Sequence, residues 1–261
     1  MNDRDSMPDG TYRDRTGERL VAAPPMKVAV VNYSGNVGKS IVAQHVLLPR
    51  IRNAELFSLS GGHRPSRGRR YSRPQCGEML ERLSMTSSAV VDVDADQADE
   101  YLAAMKRYAG SHEDIDCFVV PTTPGLQQQR DTMQTLLALA ALGVRRDRVK
   151  LLFNEWFQVC TDPDSFDLIL DDSATGTLVQ AEPVSRLRWI GVFSALESTD
   201  VDLAALTQRL GNARDAWASA DKHGGDLLDR SRDLLHWWLA REALHQFDGC
   251  FDALELPVCR Q

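Results

Sequence analysis

The chain has 261 residues, a formal net charge of −7, and 43% hydrophobic and 26% charged residues. These proportions are typical of a folded globular protein and exclude wholesale disorder, and an acidic chain has no general attraction to nucleic acid. The five cysteines include no Cys-x-x-Cys pair, so neither a disulfide framework nor a zinc site is expected. No apolar run approaches the roughly 20 residues of a membrane span, and we recognise no signal peptide, so we expect a soluble cytoplasmic protein.

The N-terminal segment, residues 1–25, is polar and charged, lacks periodicity and ends in two prolines. We expect it to be a disordered tail. Met26 directly precedes the first apolar run, so a translation start at Met26 rather than Met1 is an alternative.

Beyond this segment, apolar runs alternate with amphipathic segments. The apolar runs predict strands at 27–33, 54–59, 88–93, 116–121, 148–154 and 188–193. The amphipathic segments predict helices near 39–50, 76–84, 96–108 and 125–142, and a largely helical region from 200 to 255. This alternation predicts an α/β fold with a mostly parallel, doubly wound sheet over 26–199, on which a helical C-terminal region, 200–261, packs.

A glycine-containing loop follows the first predicted strand. Residues 28–40 read Val-Ala-Val-Val-Asn-Tyr-Ser-Gly-Asn-Val-Gly-Lys-Ser. A strand that enters such a loop and then a helix is the arrangement of a phosphate-binding loop, in which backbone N–H groups surround phosphate oxygens. Lys39 can then reach the terminal phosphates and Ser40 can bind Mg²⁺. The general pattern requires glycine where this chain has Tyr33, and a glycine-rich turn without a ligand is the alternative.

The loop resembles the deviant Walker A loop of ParA/MinD-type ATPases, which reads Lys-Gly-Gly-x-Gly-Lys-Thr/Ser and has no glycine at the position of Tyr33. The corresponding stretch is Ser34-Gly-Asn-Val-Gly-Lys-Ser40, and we expect Gly35 to form its early turn. Within that family the chain is similar to StbB-type plasmid stability proteins over about 26–156. The further motifs that carry this similarity are Ala54-Glu-Leu-Phe-Ser, Val90-Val-Asp-Val, Ser111-His-Glu-Asp and Phe118-Val-Val-Pro-Thr.

The resemblance implies a P-loop domain that binds ATP or ADP with Mg²⁺, hydrolyses ATP weakly, forms a homodimer, and acts in plasmid stability or partition with a plasmid-encoded protein partner. Lys39 and Asp92 are the expected catalytic residues. The expected nucleotide-binding residues are Ser34, Gly35, Asn36, Val37, Gly38, Lys39, Ser40, Ile41 and Asn154. The family's signature lysine falls on Ser34, which favours a non-hydrolysing, nucleotide-dependent scaffold or sensor as the alternative. A small-molecule kinase or ligase is a further alternative, although we find no acid/base constellation for a substrate.

Two strand ends carry the remaining polar candidates. Asp92 ends the apolar strand at 88–93, and the carboxyl ends of parallel strands form the crevice in which such folds bind ligands. We predict that Asp92 holds Mg²⁺ together with Ser40, through water; the alternative is a strand-end or helix-capping aspartate. Asn154 ends the strand at 148–154, where the resemblance implies a contact with the base and turn chemistry offers a local structural role.

Two further clusters are less specific. Five arginines lie within ten residues that contain no acidic residue: Arg64, Arg67, Arg69, Arg70 and Arg73. Contact with DNA phosphates, contact with an acidic protein partner and a solvated loop all remain open for this cluster. Trp237 and Trp238, with their leucine neighbours, predict a packed helix face, and a dimer contact is the alternative.

Overall fold

The computed structural model describes residues 11–13, 19–21, 24–61, 68–155, 166–171, 186–188 and 227–256. Within the N-terminal segment that was expected to be disordered, Thr11–Arg13 (β1) and Arg19–Val21 (β2) pair as antiparallel strands. Thr, Tyr and Val are frequent in strands, which accounts for a short hairpin in an otherwise polar segment.

The other described strands form one parallel sheet. They are β3 (Lys27–Val30), β4 (Glu55–Leu59), β5 (Arg69–Tyr71), β6 (Ala89–Val93), β7 (Cys117–Thr122), β8 (Val149–Glu155) and β9 (Arg186–Arg188). Their order is β5-β4-β6-β3-β7-β8-β9, and all neighbours run parallel. The chain completes one side of β3 before it crosses to the other side. The carboxyl end of β3 therefore lies at a topological switch point, where folds of this class bind ligands.

The described helices lie between these strands and after them. They are α1 (Lys39–Ile41), which continues into a π-helix at Val42–Leu47, α2 (Cys76–Ser84), α3 (Ala98–Arg107), α4 (Leu126–Ala141), α5 (Asp167–Leu170) and α6 (Leu227–Ala253). A bond from the Leu48 N–H to the Ala43 carbonyl, 3.0 Å long, spans the five-residue step of a π-helix. The expected strand residues 189–193 and helical residues 200–226 lie outside the described residues.

Two apolar clusters, one on each face of the sheet, form the core. On β3, Ala29 faces the cluster that includes α2, α3 and α4, whereas Val28 and Val30 face the cluster formed with the π-helix and α6. Because both faces are covered, strands such as β6 appear in the sequence as continuous apolar runs. The predicted α/β class with a doubly wound parallel sheet is confirmed.

Helix α6 packs against the π-helix that follows the glycine loop. The Phe247 ring is buried and stacks on His45 with 6.2 Å between ring centroids. Arg50 donates to Asp248 over 2.6 Å and to the His45 carbonyl over 2.7 Å, so it links α6 to the end of the π-helix. Trp237 packs against the same cluster, but Trp238 is 53% exposed, so only the first of the two predicted core tryptophans lies in the core.

The arginine-rich segment contains a strand that was not predicted, because its composition is typical of turns. Arg69–Tyr71 forms β5 at the edge of the sheet, paired in parallel with β4. Tyr71 is buried, and its ring stacks on that of Phe57 with 6.0 Å between centroids. The strand therefore depends on a contact with a neighbouring strand rather than on its own composition.

Candidate functional site

The glycine loop spans residues 33–38 and follows the carboxyl end of β3, after two linking residues, at the switch point of the sheet. Two other candidate residues lie at the same edge, because Asp92 and Asn154 are near the carboxyl ends of β6 and β8. Side-chain alternation along β6 and β8 places both of them on the face covered by the helical segment 39–47. The fold therefore brings the predicted loop, the Asp92 carboxylate and the Asn154 amide together at the carboxyl end of the sheet, on one of its two faces.

The left-handed turns of the loop lie at Asn36 and Gly38, whose φ angles are 55° and 84°. Gly35, which was expected to form the early turn, lies in the bend at 33–37, but it does not have positive φ, and a Cβ built on it would meet nothing within 4 Å. Asparagine adopts the left-handed region more readily than most side chains, so Asn36 can form the turn without glycine. Left-handed residues in a turn can direct neighbouring backbone N–H groups to one side, as an anion-binding loop requires.

Lys39 begins α1 and is only 7% exposed. Its ammonium group donates to the carbonyl of Ser34 over 2.5 Å, so the side chain folds back across the loop. Burial lowers the pKa of Lys39 to about 8, against the opposing effect of the nearby Asp92, Asp94 and Asp96 charges. The lysine therefore keeps its positive charge at neutral pH, inside the loop that precedes it.

Asp92 is buried on the strand next to β3. Burial raises the pKa of Asp92 to about 6, and hydrogen bonds to the side chains of Ser40 and Gln44 work in the opposite direction. One carboxylate oxygen, Oδ1, is buried without a hydrogen-bond partner. A buried carboxylate oxygen without a partner is costly, so this atom indicates a position at which a ligand can be received.

The other loop residues predicted to bind nucleotide lie around this pair. Ser34 is buried, and its side chain contacts the neighbouring Gly35 carbonyl at 3.4 Å. Val37 is fully buried, whereas Ile41 is half-buried and packs against the cluster that contains the π-helix. The exposed members of the loop are Gly35 and Asn36.

Asn154 does not face solvent in this structure. Its side chain is fully buried, and its amide nitrogen donates to the Val37 carbonyl over 3.0 Å. A Cβ on Gly38 would overlap that nitrogen, so glycine at 38 leaves the space that Asn154 occupies. The predicted contact between Asn154 and a nucleotide base stays a prediction.

A buried hydrogen-bond network around Asn32 was not predicted from the sequence. The Asn32 amide nitrogen donates to the Pro121 carbonyl (2.8 Å) and to Thr132 Oγ1 (2.7 Å), while its oxygen accepts the Ser34 N–H (2.8 Å). Thr135 Oγ1 accepts the Tyr33 N–H over 3.1 Å. A polar residue directly after an apolar strand, and threonines on the buried side of α4, were the signals available for this network.

Metal binding by side chains alone is not supported in the described part of the chain, where no group of three or more His, Cys, Asp and Glu side chains could hold an ion. Magnesium, however, needs only one or two protein oxygens, because it keeps waters and takes substrate phosphates as ligands. The Ser40 hydroxyl, hydrogen-bonded to Asp92, and the unpartnered Asp92 Oδ1 are such oxygens. These residues fit Mg²⁺ together with a phosphate chain.

The arginine cluster carries less free positive charge than its sequence indicates. Arg69 pairs with Glu55 at 3.0 Å, and Arg73 pairs with Asp99 at 2.7 Å. Arg64 and Arg67 lie outside the described residues. Exposed pairs of this kind contribute little to stability, but each reduces the net charge that is offered to a phosphate backbone.

No protein-family model and no curated protein matches the chain. Among solved structures, an McdA variant from Cyanothece in its ATP complex matches at 11% identity and TM-score 0.49, covering 92% of this chain and 100% of that one. MinD from Pyrococcus horikoshii OT3 with Mg-ADP matches at 9% identity and TM-score 0.49, covering 88% and 96%. A ParA family ATPase from Chlorobium tepidum TLS matches at 14% identity and TM-score 0.42, covering 66% and 88%.

Similarities at these identities and TM-scores do not establish a function for this chain. The geometry of the site is the basis for the function proposed below. The fold class likewise stands on the chain's own strand order and on its two covered sheet faces. Among the described residues no helix combines the length and the apolar character needed to cross a bilayer.

Proposed function

We propose that the chain is a ParA/MinD-like ATPase that binds Mg-ATP with residues 34–41, which comprise most of the glycine loop and the start of α1. One observation carries this proposal: buried Lys39 and buried Asp92, with its unpartnered oxygen, lie beside a loop with two left-handed turns at the switch point of a parallel sheet. A buried ammonium and a buried carboxylate are both costly unless a ligand completes their interactions. A polyphosphate with its magnesium ion has the charges that both groups lack.

In this proposal the chain's own groups have distinct roles. Backbone N–H groups of residues 35–40 bind phosphate oxygens, and the Lys39 ammonium stabilises the charge that develops between the β- and γ-phosphates. Ser40 and, through water, Asp92 would hold Mg²⁺, which would supply positive charge to neutralise the phosphates. We assign no general base, because phosphoryl transfer depends mainly on positioning and electrostatic stabilisation.

The residue at position 34 bears on the rate of hydrolysis. Ser34 donates its N–H to Asn32, and its carbonyl accepts Lys39, so it is part of the loop's own hydrogen bonding. A serine side chain is also too short to reach a nucleotide in a second subunit, as the family's signature lysine does. This favours slow turnover, and it favours a non-hydrolysing, nucleotide-dependent scaffold as the second candidate function.

Calorimetric titration of ATP with Mg²⁺, repeated in EDTA, tests the binding proposal. We expect saturable binding that weakens in EDTA and is lost in Lys39→Ala, with the exposed lysine variant Lys106→Ala as the matched control. Absence of binding by the wild type would refute the proposal. Phosphate release that Lys39→Ala abolishes would select the ATPase, whereas binding without release would select the scaffold.

The biological part of the proposal rests on the sequence resemblance to plasmid stability proteins. We propose nucleotide-dependent homodimerisation in the cytoplasm and contact with a plasmid-encoded partner or with DNA through Arg64, Arg67, Arg69, Arg70 and Arg73. The ion pairs of Arg69 and Arg73 limit the DNA contribution of this cluster. Sedimentation with and without Mg-ATP tests dimerisation, and salt-dependent DNA binding by wild type and by Arg70→Ala tests the arginine contact.

A further inference from the structure

Two fully buried asparagines contact opposite ends of the glycine loop. Asn32 follows β3, and Asn154 lies in β8, two strands away in the sheet. Each asparagine bonds to the loop backbone, one to an N–H group and the other to a carbonyl. A side-chain amide suits both tasks because it carries a donor and an acceptor in one planar group.

At the first end, Asn32 connects the loop to α4 and to β7. Its oxygen accepts the Ser34 N–H, and its nitrogen donates to the Pro121 carbonyl and to Thr132. The start of the loop is thus bonded to two other elements of the fold. Networks of this kind, when fully satisfied, restrict the backbone to one conformation.

At the second end, Asn154 fixes the residue before the left-handed glycine. Its amide nitrogen donates to the Val37 carbonyl over 3.0 Å, in the space left by the absent side chain of Gly38. Two features therefore require glycine at position 38: its left-handed φ of 84° and the close approach of the Asn154 side chain. The side chain of Asn154 is fully buried, with its amide nitrogen directed at the loop backbone.

We propose that Asn154 is a positioning residue that, together with Asn32, holds the loop in its phosphate-binding shape before nucleotide arrives. This inference rests on the proposed function for its ligand, and it gives Asn154 a role in shaping the loop that does not depend on contact with the base. A preformed loop lowers the entropy cost of binding, so the contribution of Asn154 acts through the phosphates. Its removal should consequently weaken all ligands that carry the same phosphate chain.

The first test needs no nucleotide, so it separates this inference from the proposed function. Hydrogen exchange is measured on the nucleotide-free full chain of the wild type, Asn154→Ala and Arg145→Ala. Arg145 is the control: it is exposed and precedes the amino end of β8, whereas the loop lies at the carboxyl end of the sheet. We expect faster exchange in peptides covering 33–38 in Asn154→Ala only, with strand β6 unchanged. Equal loop exchange in all three proteins would overturn the inference. If Asn154→Ala does not fold, Asn154→Ser serves in its place.

The second test compares ATP, GTP and inorganic tripolyphosphate, each with Mg²⁺. We expect Asn154→Ala to weaken all three by a similar factor of about five- to tenfold, the size of one neutral hydrogen bond. A substitution that only destabilised the fold would lower the free energy of unfolding. It would not speed hydrogen exchange in the loop selectively, and it would not weaken the three ligands by the same factor. Weaker binding of ATP alone, with tripolyphosphate unaffected, would show a base contact and would overturn the inference. A wild type that binds none of the three would refute the proposed function instead.

Discussion

Replacement of Asp92 by asparagine should stabilise the nucleotide-free protein while it weakens Mg-ATP binding. Asparagine keeps the shape of the side chain but removes a charge that is buried on β6. Burial raises the pKa of Asp92, so the folded chain holds the carboxyl proton more tightly than the unfolded chain does. Ionisation of Asp92 therefore opposes folding.

The size of the effect follows from the pKa. A rise from 3.8 to about 6 makes the ionised form about 3 kcal/mol less favourable in the folded chain. Because the folded pKa is the higher one, the contribution of Asp92 to the free energy of unfolding is most favourable below pH 4, falls between about pH 4 and 6, and stays reduced above that range. Asp92→Asn should match the wild type at the low end and exceed it by about 3 kcal/mol at pH 7.

Urea unfolding in EDTA, from pH 4 to 7.5, measures the free energy of unfolding of both proteins. The difference between them should grow across the stated range, whereas Leu126→Ala, an exposed substitution that removes no titratable group, should keep the wild-type profile. Titration with Mg-ATP should show weaker binding by Asp92→Asn. An asparagine variant that is no more stable than the wild type at pH 7 would refute the reasoning, because the buried carboxylate would then carry no cost.

Three other substitutions test the glycine loop, its lysine and the packing of α6. In Gly38→Ala, the alanine must adopt a left-handed φ, and its Cβ would overlap the Asn154 side chain. We therefore expect a free energy of unfolding about 2 kcal/mol lower in urea and loss of ATP binding; wild-type affinity would contradict this. Burial lowers the pKa of Lys39 to about 8, so stability should rise between about pH 8 and 10 in the wild type but not in Lys39→Met, measured by thermal unfolding. Phe247→Ala should cost about 3–5 kcal/mol in urea, and a loss below 1 kcal/mol would exclude tight packing of α6 on the π-helix.

The parts of the fold that sequence predicts are those fixed by local pattern. Strand β3, the glycine loop and the lysine that begins α1 are consecutive, so their order indicates a phosphate-binding loop. The buried position of Asp92 near the carboxyl end of β6 follows from a related pattern, since it lies in an apolar run that a parallel sheet buries on both faces. Local pattern also placed α2 at its observed bounds.

What the sequence did not predict depends on contacts between distant residues. Thr135 lies 102 positions from Tyr33, whose N–H it accepts, and no spacing rule connects the two. Strand β5 is held by a ring contact with β4 and lies in a segment whose composition indicated a turn. The turn at Asn36 was missed because asparagine, unlike glycine, adopts left-handed φ only where the surrounding bonds require it.

Lys39 and Asp92 together explain why this edge of the sheet is suited to a charged ligand. Burial moves the pKa of each group toward its neutral form, although their opposite charges attract each other. Their mutual attraction therefore does not offset the cost of burial. Each charged group lowers the free energy of unfolding of the nucleotide-free protein. A ligand that supplies negative charge to the lysine and a cation to the carboxylate would recover that cost. Mg-ATP should consequently raise the unfolding temperature of the wild type more than that of Asp92→Asn, at concentrations that saturate both.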